Sequence, residues 1–392
     1  MDIFQKCYAF TRVAEAKEKG IYPYFIPLDE NEGTEVIYHG QRLVMCGSNN
    51  YLGLTTHPEV KQAALDAVAR YGTSCTGSRF LNGTLSLHHE LEHALAEWVG
   101  KEEALIFSTG MQSNLGAISA LSTRNDVIVL DKEDHASIVD GARLGYGKIE
   151  RYRHSDMAHL RRVLESIPQE NGIMIVTDGL FSMEGDIAKL PQLVELAKEF
   201  GARLMVDDAH AMGVLGGGRG TAAHFGLTDS VDLIMSTFSK SFASIGGFVA
   251  GDNAVIQYIK HFARSLIFSA SIPAANAASA LAALKIMQRE PERIQRVNDI
   301  GEKMRHAYRS LGFNLGDSQS PIVPIIIGDD ELTFVFWKRL FESGVFVNPV
   351  ISPAVQNGNQ LLRTSYMATH TDDQLNFVIE IMGKVGRELG VI

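Results

Sequence analysis

Cysteine is scarce in this chain: Cys7, Cys46 and Cys75 are the only three, an odd number with no CxxC pair and no His/Cys ligand spacing. A disulfide framework and a zinc finger are therefore excluded as sources of stability, and a reducing cytoplasm is the expected compartment. Basic charge is also short, with 36 Lys and Arg against 46 Asp and Glu and a net charge of −10. Nucleic acid is not expected as a partner, because backbone phosphates are held by clustered cations; a local anion site stays open. Long hydrophobic runs are missing as well. No segment approaches the ~18 consecutive apolar residues of a membrane helix. The opening residues, MDIFQKCYAFTRVAEAKEKG, mix charges throughout, so neither a signal peptide nor a membrane span is expected.

What is present is an ordinary cored composition: 392 residues, 45% hydrophobic and 21% charged. That length supports more than one domain without staples. Residues 1–57 read as an N-terminal arm. Its first twenty positions show helical spacing (Phe4, Cys7, Tyr8, Thr11, Val13, Ala14) that stops at Gly20, and Glu35 to Tyr38 and Arg42 to Met45 flank His39-Gly40 as a hairpin. Residues 58–290 alternate helices with short apolar strands, at Ala104 to Phe107, Val127 to Leu130, Ile173 to Val176, Leu204 to Val206, Leu233 to Met235 and Phe248 to Ala250. This pattern predicts an α/β fold with a mostly parallel central sheet covered on both faces. Residues 291–392 read as a smaller α+β C-terminal domain, with strands at Ile322 to Ile327, Val345 to Val347 and Leu361 to Tyr366.

Two motifs invite other chemistry. His89-Glu-Leu-Glu-His93 matches the HExxH pattern of zinc hydrolases, in which the two histidines bind the metal. The apolar face of that helix is Leu87, Leu91, Ala94, Leu95 and Trp98, which puts His89 and His93 on a solvated flank, so no metal site is expected. Gly216-Gly-Gly-Arg-Gly220 fits neither GxGxxG nor GxxxxGK[ST] and reads as a turn.

The stronger signal lies in polar clusters just beyond the strand ends, the edge where open α/β sheets bind ligands. Thr237-Phe-Ser-Lys240 places a lysine beside hydroxyls, suited to a Schiff base on a phosphate-bearing aldehyde. Val206-Asp207-Asp208-Ala209-His210 supplies a carboxylate that could pair with a protonated pyridine nitrogen and an imidazole that could meet a ring hydroxyl. Ser108-Thr-Gly110-Met111 opens a helix whose N–H groups could hold a phosphate. Asp134-His135-Ala-Ser137 places an imidazole where it could stack on a flat ring, and Phe181-Ser182 offers a hydroxyl to the ring oxygen.

This ordered series resembles the α-oxoamine synthases among the fold-type I pyridoxal phosphate enzymes. The likeness runs from Ser48-Asn-Asn-Tyr-Leu-Gly-Leu54 through Thr177-Asp-Gly-Leu-Phe-Ser-Met-Glu-Gly-Asp186 to Leu362-Arg-Thr-Ser-Tyr366. The resemblance implies pyridoxal 5'-phosphate as cofactor, with Lys240 as Schiff-base lysine and acid/base. His135 would stack on the ring, Asp207 would meet its nitrogen, and His210 and Ser182 its oxygen. Thr237, Ser239 and the Gly110-Met111 backbone would hold the phosphate, with Ser271 in the segment reaching over from a neighbouring subunit. Asn49 and Arg363 would bind an amino-acid carboxylate. A homodimer with shared active sites is implied, acting on an amino acid and an acyl-CoA. Gly77-Ser-Arg-Phe-Leu-Asn-Gly-Thr84 and Val345 to Val355 resemble the serine palmitoyltransferase branch, which favours L-serine. The ligase and 8-amino-7-oxononanoate synthase branches are the alternatives.

Overall fold

The computed structural model describes residues 2–392. Its strands are β1 (Glu30–Asn31), β2 (Glu35–Tyr38), β3 (Gln41–Met45), β4 (Glu103–Phe107), β5 (Asp126–Asp131), β6 (Lys148–Tyr152), β7 (Gly172–Asp178), β8 (Arg203–Asp207), β9 (Leu233–Thr237), β10 (Gly247–Gly251), β11 (Ile322–Ile326), β12 (Val345–Phe346), β13 (Asn348–Val350) and β14 (Leu361–Ser365). Seven of them form the central sheet in the order β4-β10-β9-β8-β7-β5-β6, and β10 alone runs antiparallel to its neighbours. This is the mostly parallel, doubly covered sheet expected from the alternating pattern, in the fold-type I form that the resemblance implied.

The apolar strand runs are apolar because both faces are covered. One face carries Ile106, Val129, Ile175, Val206 and Ile234 into the largest core, and the other carries Leu105, Ile128, Met174, Met205 and Met235 into a second layer under the Gly110–Leu121 helix. Parallel strands buried on both sides need such runs, and their loops collect on one edge. β6 lacks an apolar run; its Lys-Ile-Glu-Arg-Tyr sequence lies at the sheet margin, with only Tyr152 buried.

Two features depart from the sequence pattern. The N-terminal helix divides into Gln5–Tyr8 and Arg12–Glu18, neither with a buried residue, so its apolar positions have no core to hold them in one continuous helix. The strand expected over Val345 to Val347 ends at Phe346, and a second strand of a different sheet starts at Asn348. β12 pairs parallel with β3, extending the hairpin sheet to β1-β2-β3-β12, whereas β13 pairs with β14 in the β11-β14-β13 sheet. Val36, Leu43 and Cys46 accordingly share a core with Val323, Val345, Leu362 and Tyr366. Among the described residues, no helix is long and apolar enough to cross a membrane.

Candidate active site

His135, Asp207, His210 and Lys240 sit where an apolar strand gives way to a polar turn. β9 ends at Thr237, and the turn after it is closed by Phe238 N–H donating to the Gly246 carbonyl (2.8 Å) and Ser244 N–H donating to the Phe238 carbonyl (2.8 Å). Phe238 and Phe242 are fully buried against Phe248, so apolar anchors on both sides of Lys240 fix where its side chain starts. β8 ends at Asp207, whose Oδ1 accepts from Ala209 N–H (2.9 Å) and Oδ2 from the Asn114 side-chain amide (2.6 Å).

These ends enclose a cleft of about 320 Å³ lined by Gly110, Met111, His135, Asp207, His210, Thr237, Ser239 and Lys240, together with Thr109, Ser137, Asp178, Ala209 and Ile245. At one end the Gly110–Leu121 helix begins, with Thr109 accepting from Gln112 N–H (3.1 Å), and Thr237 and Ser239 hydroxyls 2.9 Å apart stand opposite. A Cβ on Gly110 would lie 2.7 Å from Thr237 Cβ, so the glycine is what lets the two walls approach. Free N–H groups at a helix start, hydroxyls and no competing acid describe a phosphate site. At the other end stands the Asp207 carboxyl, with His135 and Ala209 among the lining residues between. This donor set fits pyridoxal phosphate: anion cradle, flat slot, carboxylate and amine in one cleft.

Burial lowers the Lys240 pKa to about 8; Asp207 and Asp178 pull it up, and Arg363 pushes it down. The amine keeps some solvent contact through the cleft, yet protein surrounds it closely enough for desolvation to lead. His210 is held well below its ordinary value by burial and by the positive charges of Lys240 and Arg363, so its ring is neutral at pH 7. Its Nδ1 lies 2.7 Å from the Tyr51 hydroxyl. Burial likewise lowers His135, against the pull of Asp207.

Arg363 and Asn49 do not line this cleft but adjoin it through Tyr51. Arg363 is 5% exposed; its Nε donates to the Ser182 carbonyl (2.6 Å), and its Nη2 to Asn49 Oδ1 (2.9 Å) and the Tyr51 hydroxyl (3.5 Å). Ser182 therefore enters the site through its main chain. Ser271 lies apart: its N–H donates to the Gly77 carbonyl (2.9 Å), and its buried hydroxyl has no partner within the chain. Ser269, the other serine of that segment, accepts from Gln112 Nε2 (2.9 Å).

Residue-by-residue reading did not single out Asn114, Ser137, Asp178, Tyr51 or Ala209. Tyr51, Ser137, Asp178 and Ala209 stood inside quoted motifs, but contacts such as Tyr51 to His210 and the His135 N–H to Asp178 Oδ2 (2.7 Å) join distant segments. His89 and His93 face solvent, while Glu92 of the same helix turns inward to a bidentate pair with Arg79 (2.8 and 3.0 Å).

Comparison with known proteins places these observations. Residues 42–382 match the family described as aminotransferase class I and II. A serine palmitoyltransferase of Sphingobacterium spiritivorum is 55% identical over 97% of this chain and 95% of its own. An 8-amino-7-oxononanoate synthase of Treponema denticola is more distant, at 40% over 100% and 98%. Among solved structures, a variant serine palmitoyltransferase from S. paucimobilis with bound PLP superposes with a TM-score of 0.97 at 34% identity, covering 100% of both chains.

Proposed function

This chain belongs to the class I and II aminotransferase family of pyridoxal phosphate enzymes, and from that premise we propose that it condenses L-serine with palmitoyl-CoA, giving 3-ketosphinganine, CoA and CO₂. The observation that carries the reading is a lysine with a depressed pKa in the cleft and, adjoining that cleft through Tyr51, a buried, hydrogen-bonded arginine. When bound, the cofactor supplies an electron sink that acidifies the amino acid's Cα–H and accepts the electrons left when CO₂ departs.

The chain's own residues do the rest. Arg363, with Asn49 beside it, holds the serine carboxylate; a guanidinium already aimed by Ser182 and Asn49 loses little freedom on binding. Lys240, near neutrality in its proton affinity, takes the Cα proton and returns one to the same carbon after decarboxylation. The new bond joins serine Cα to the acyl carbonyl carbon while the C–S bond breaks and CoA leaves as the thiolate. Asp207, held by two N–H donors, would pair with the pyridine nitrogen, and neutral His210 would meet the ring oxygen, while Ser182 acts through its carbonyl on Arg363. Thr237, Ser239 and the Gly110-Met111 backbone would hold the phosphate, with the Met111 side chain 41% exposed at the cleft wall.

A homodimer completes the site in this reading, with Ser271 of the neighbouring copy adding a phosphate ligand. Support comes from apolar side chains left exposed around this region: Leu81 at 78%, Phe268 at 76% and Ile245 at 56%. A cytoplasmic setting is supported by three unpaired cysteines. The test is titration of the holoenzyme spectrum with serine, alanine and glycine, followed by thiol release from acyl-CoAs of increasing length. Serine with palmitoyl-CoA is the expected pair; a response confined to glycine with acetyl-CoA, or to alanine with pimeloyl-CoA, overturns the reading.

A further inference from the structure

A chain of four buried or cleft-facing groups links Asp207 to His135 across the cleft wall. Asn114 is 0% exposed, on the first turns of the Gly110–Leu121 helix. Its amide nitrogen lies 2.6 Å from Asp207 Oδ2 and 2.8 Å from Ser137 Oγ. Ser137 Oγ in turn lies 2.7 Å from His135 Nδ1. Asp207 and Ser137 are each 2% exposed, so the inner links are closed to water, and only His135 reaches the open cleft.

The direction of every bond in this chain follows from its first member. Both oxygens of Asp207 accept, one from Ala209 N–H and one from Asn114, so the Asn114 amide must turn its NH₂ and not its oxygen toward Asp207. Its second N–H then points at Ser137 Oγ, which accepts. A hydroxyl that accepts there has its one hydrogen free to donate, and the nearby acceptor is His135 Nδ1. The Ser137 main-chain N–H also points at Nδ1, at 3.3 Å, as the second donor of a helix cap. An imidazole nitrogen receiving two donors carries no proton in the neutral ring.

We propose that Asn114 is a positioning residue that reads the orientation of the Asp207 carboxylate and, through Ser137, fixes His135 as the Nε2–H tautomer. His135 then presents a hydrogen-bond donor to the cleft on the side away from Ser137. The consequence reaches beyond packing: a ring with Nε2–H can donate to a substrate carboxylate or thioester oxygen, whereas the other tautomer would present a lone pair and repel it. Asn114 Oδ1 has no hydrogen-bond partner although it is buried. A buried amide left half satisfied points to the importance of its two N–H bonds, because side chains kept only for packing need no such amide.

This inference deepens the proposed function at the same site but is tested without it. The holoenzyme, labelled with ¹⁵N in its 13 histidine imidazoles, gives ring-nitrogen shifts that separate Nδ1–H from Nε2–H forms, and His135→Asn identifies the signals to follow. Wild type is expected to show His135 as Nε2–H alone. Asn114→Leu and Ser137→Ala, each removing one link, are expected to raise an Nδ1–H population of His135 at least about tenfold, the residual bias coming from the longer main-chain donor. His135 protonated on Nδ1 in wild type, or spectra unchanged in both folded variants, overturns the proposal. The nitrogen spectrum is indifferent to which amino acid or acyl-CoA the enzyme accepts, so its failure and failure of the condensation are separate results.

Discussion

Lys240 offers the most quantitative consequence of the cleft. Burial lowers its pKa from 10.5 to about 8, although Asp207 and Asp178 lie close enough to oppose the shift. At pH 8 about half of its amine is therefore unprotonated, against about 0.3% for an ordinary lysine, roughly a 150-fold excess of nucleophile. Cofactor-free protein mixed with pyridoxal phosphate in a stopped-flow instrument should form the Schiff base at a rate that rises with pH through a midpoint near 8 and levels off by about pH 9.5. Asp207→Asn should lower the midpoint, because Asp207 favours the ammonium; Arg363→Met should raise it. The same shift acts on stability. Between about pH 8 and 10.5 the unfolded chain holds a proton that the folded chain does not, so this lysine's penalty, up to about 3 kcal/mol at neutral pH, disappears as pH rises through that window. Lys240→Met should thus stabilise the cofactor-free protein at pH 7 and do little by this route at pH 10.5, read by urea denaturation. A rate that climbs without a break to pH 10 would refute the reasoning.

Three further outcomes follow from the geometry. Gly110→Ala should weaken pyridoxal phosphate binding at least tenfold, since its methyl would meet Thr237 at 2.7 Å and push the two walls apart; absorbance titration of the apoprotein measures it. Glu92→Gln should cost about 3–5 kcal/mol in urea denaturation, because it leaves Arg79 buried without its carboxylate, the two side chains being 5% and 9% exposed. Burial disfavours protonated His154, but its hydrogen bonds to Asp131 (2.9 Å) and Asp186 (3.1 Å) outweigh that and raise its pKa to about 10. Its stabilising contribution is complete below about pH 6.5 and is lost as pH rises through 10, so His154→Gln should destabilise strongly at pH 6 and weakly at pH 10.5.

Much of the fold was legible because burial on both faces forces apolar runs, and Val127 to Leu130 or Ile173 to Val176 have no other reason to be so uniformly apolar. β6 escaped the same reading for the converse reason: an edge strand can carry Lys148, Glu150 and Arg151 without cost. The division of Val345 to Val350 between two sheets was not legible, since the partner that draws Val345 and Phe346 away lies at Val44 and Met45, three hundred residues earlier, and leaves no local trace. At the site, strand-end polar clusters identified Lys240, Asp207, His135 and His210 one by one. Asn114 and Ser137 stayed hidden because their importance lies in a hydrogen-bond chain whose links come from three separate strand ends. Arg363 was legible as a charge within a motif; its fixation by Asn49, Tyr51 and the Ser182 carbonyl was visible only once the two cores were packed together.

The most direct measurement uses L-serine labelled in its carboxyl carbon, incubated with holoenzyme and palmitoyl-CoA. Labelled CO₂, free CoA thiol and a long-chain aminoketone identified by mass should appear in equal amounts, and Lys240→Ala should abolish all three. Thiol release without labelled CO₂, which would mean hydrolysis or simple acyl transfer, contradicts the account.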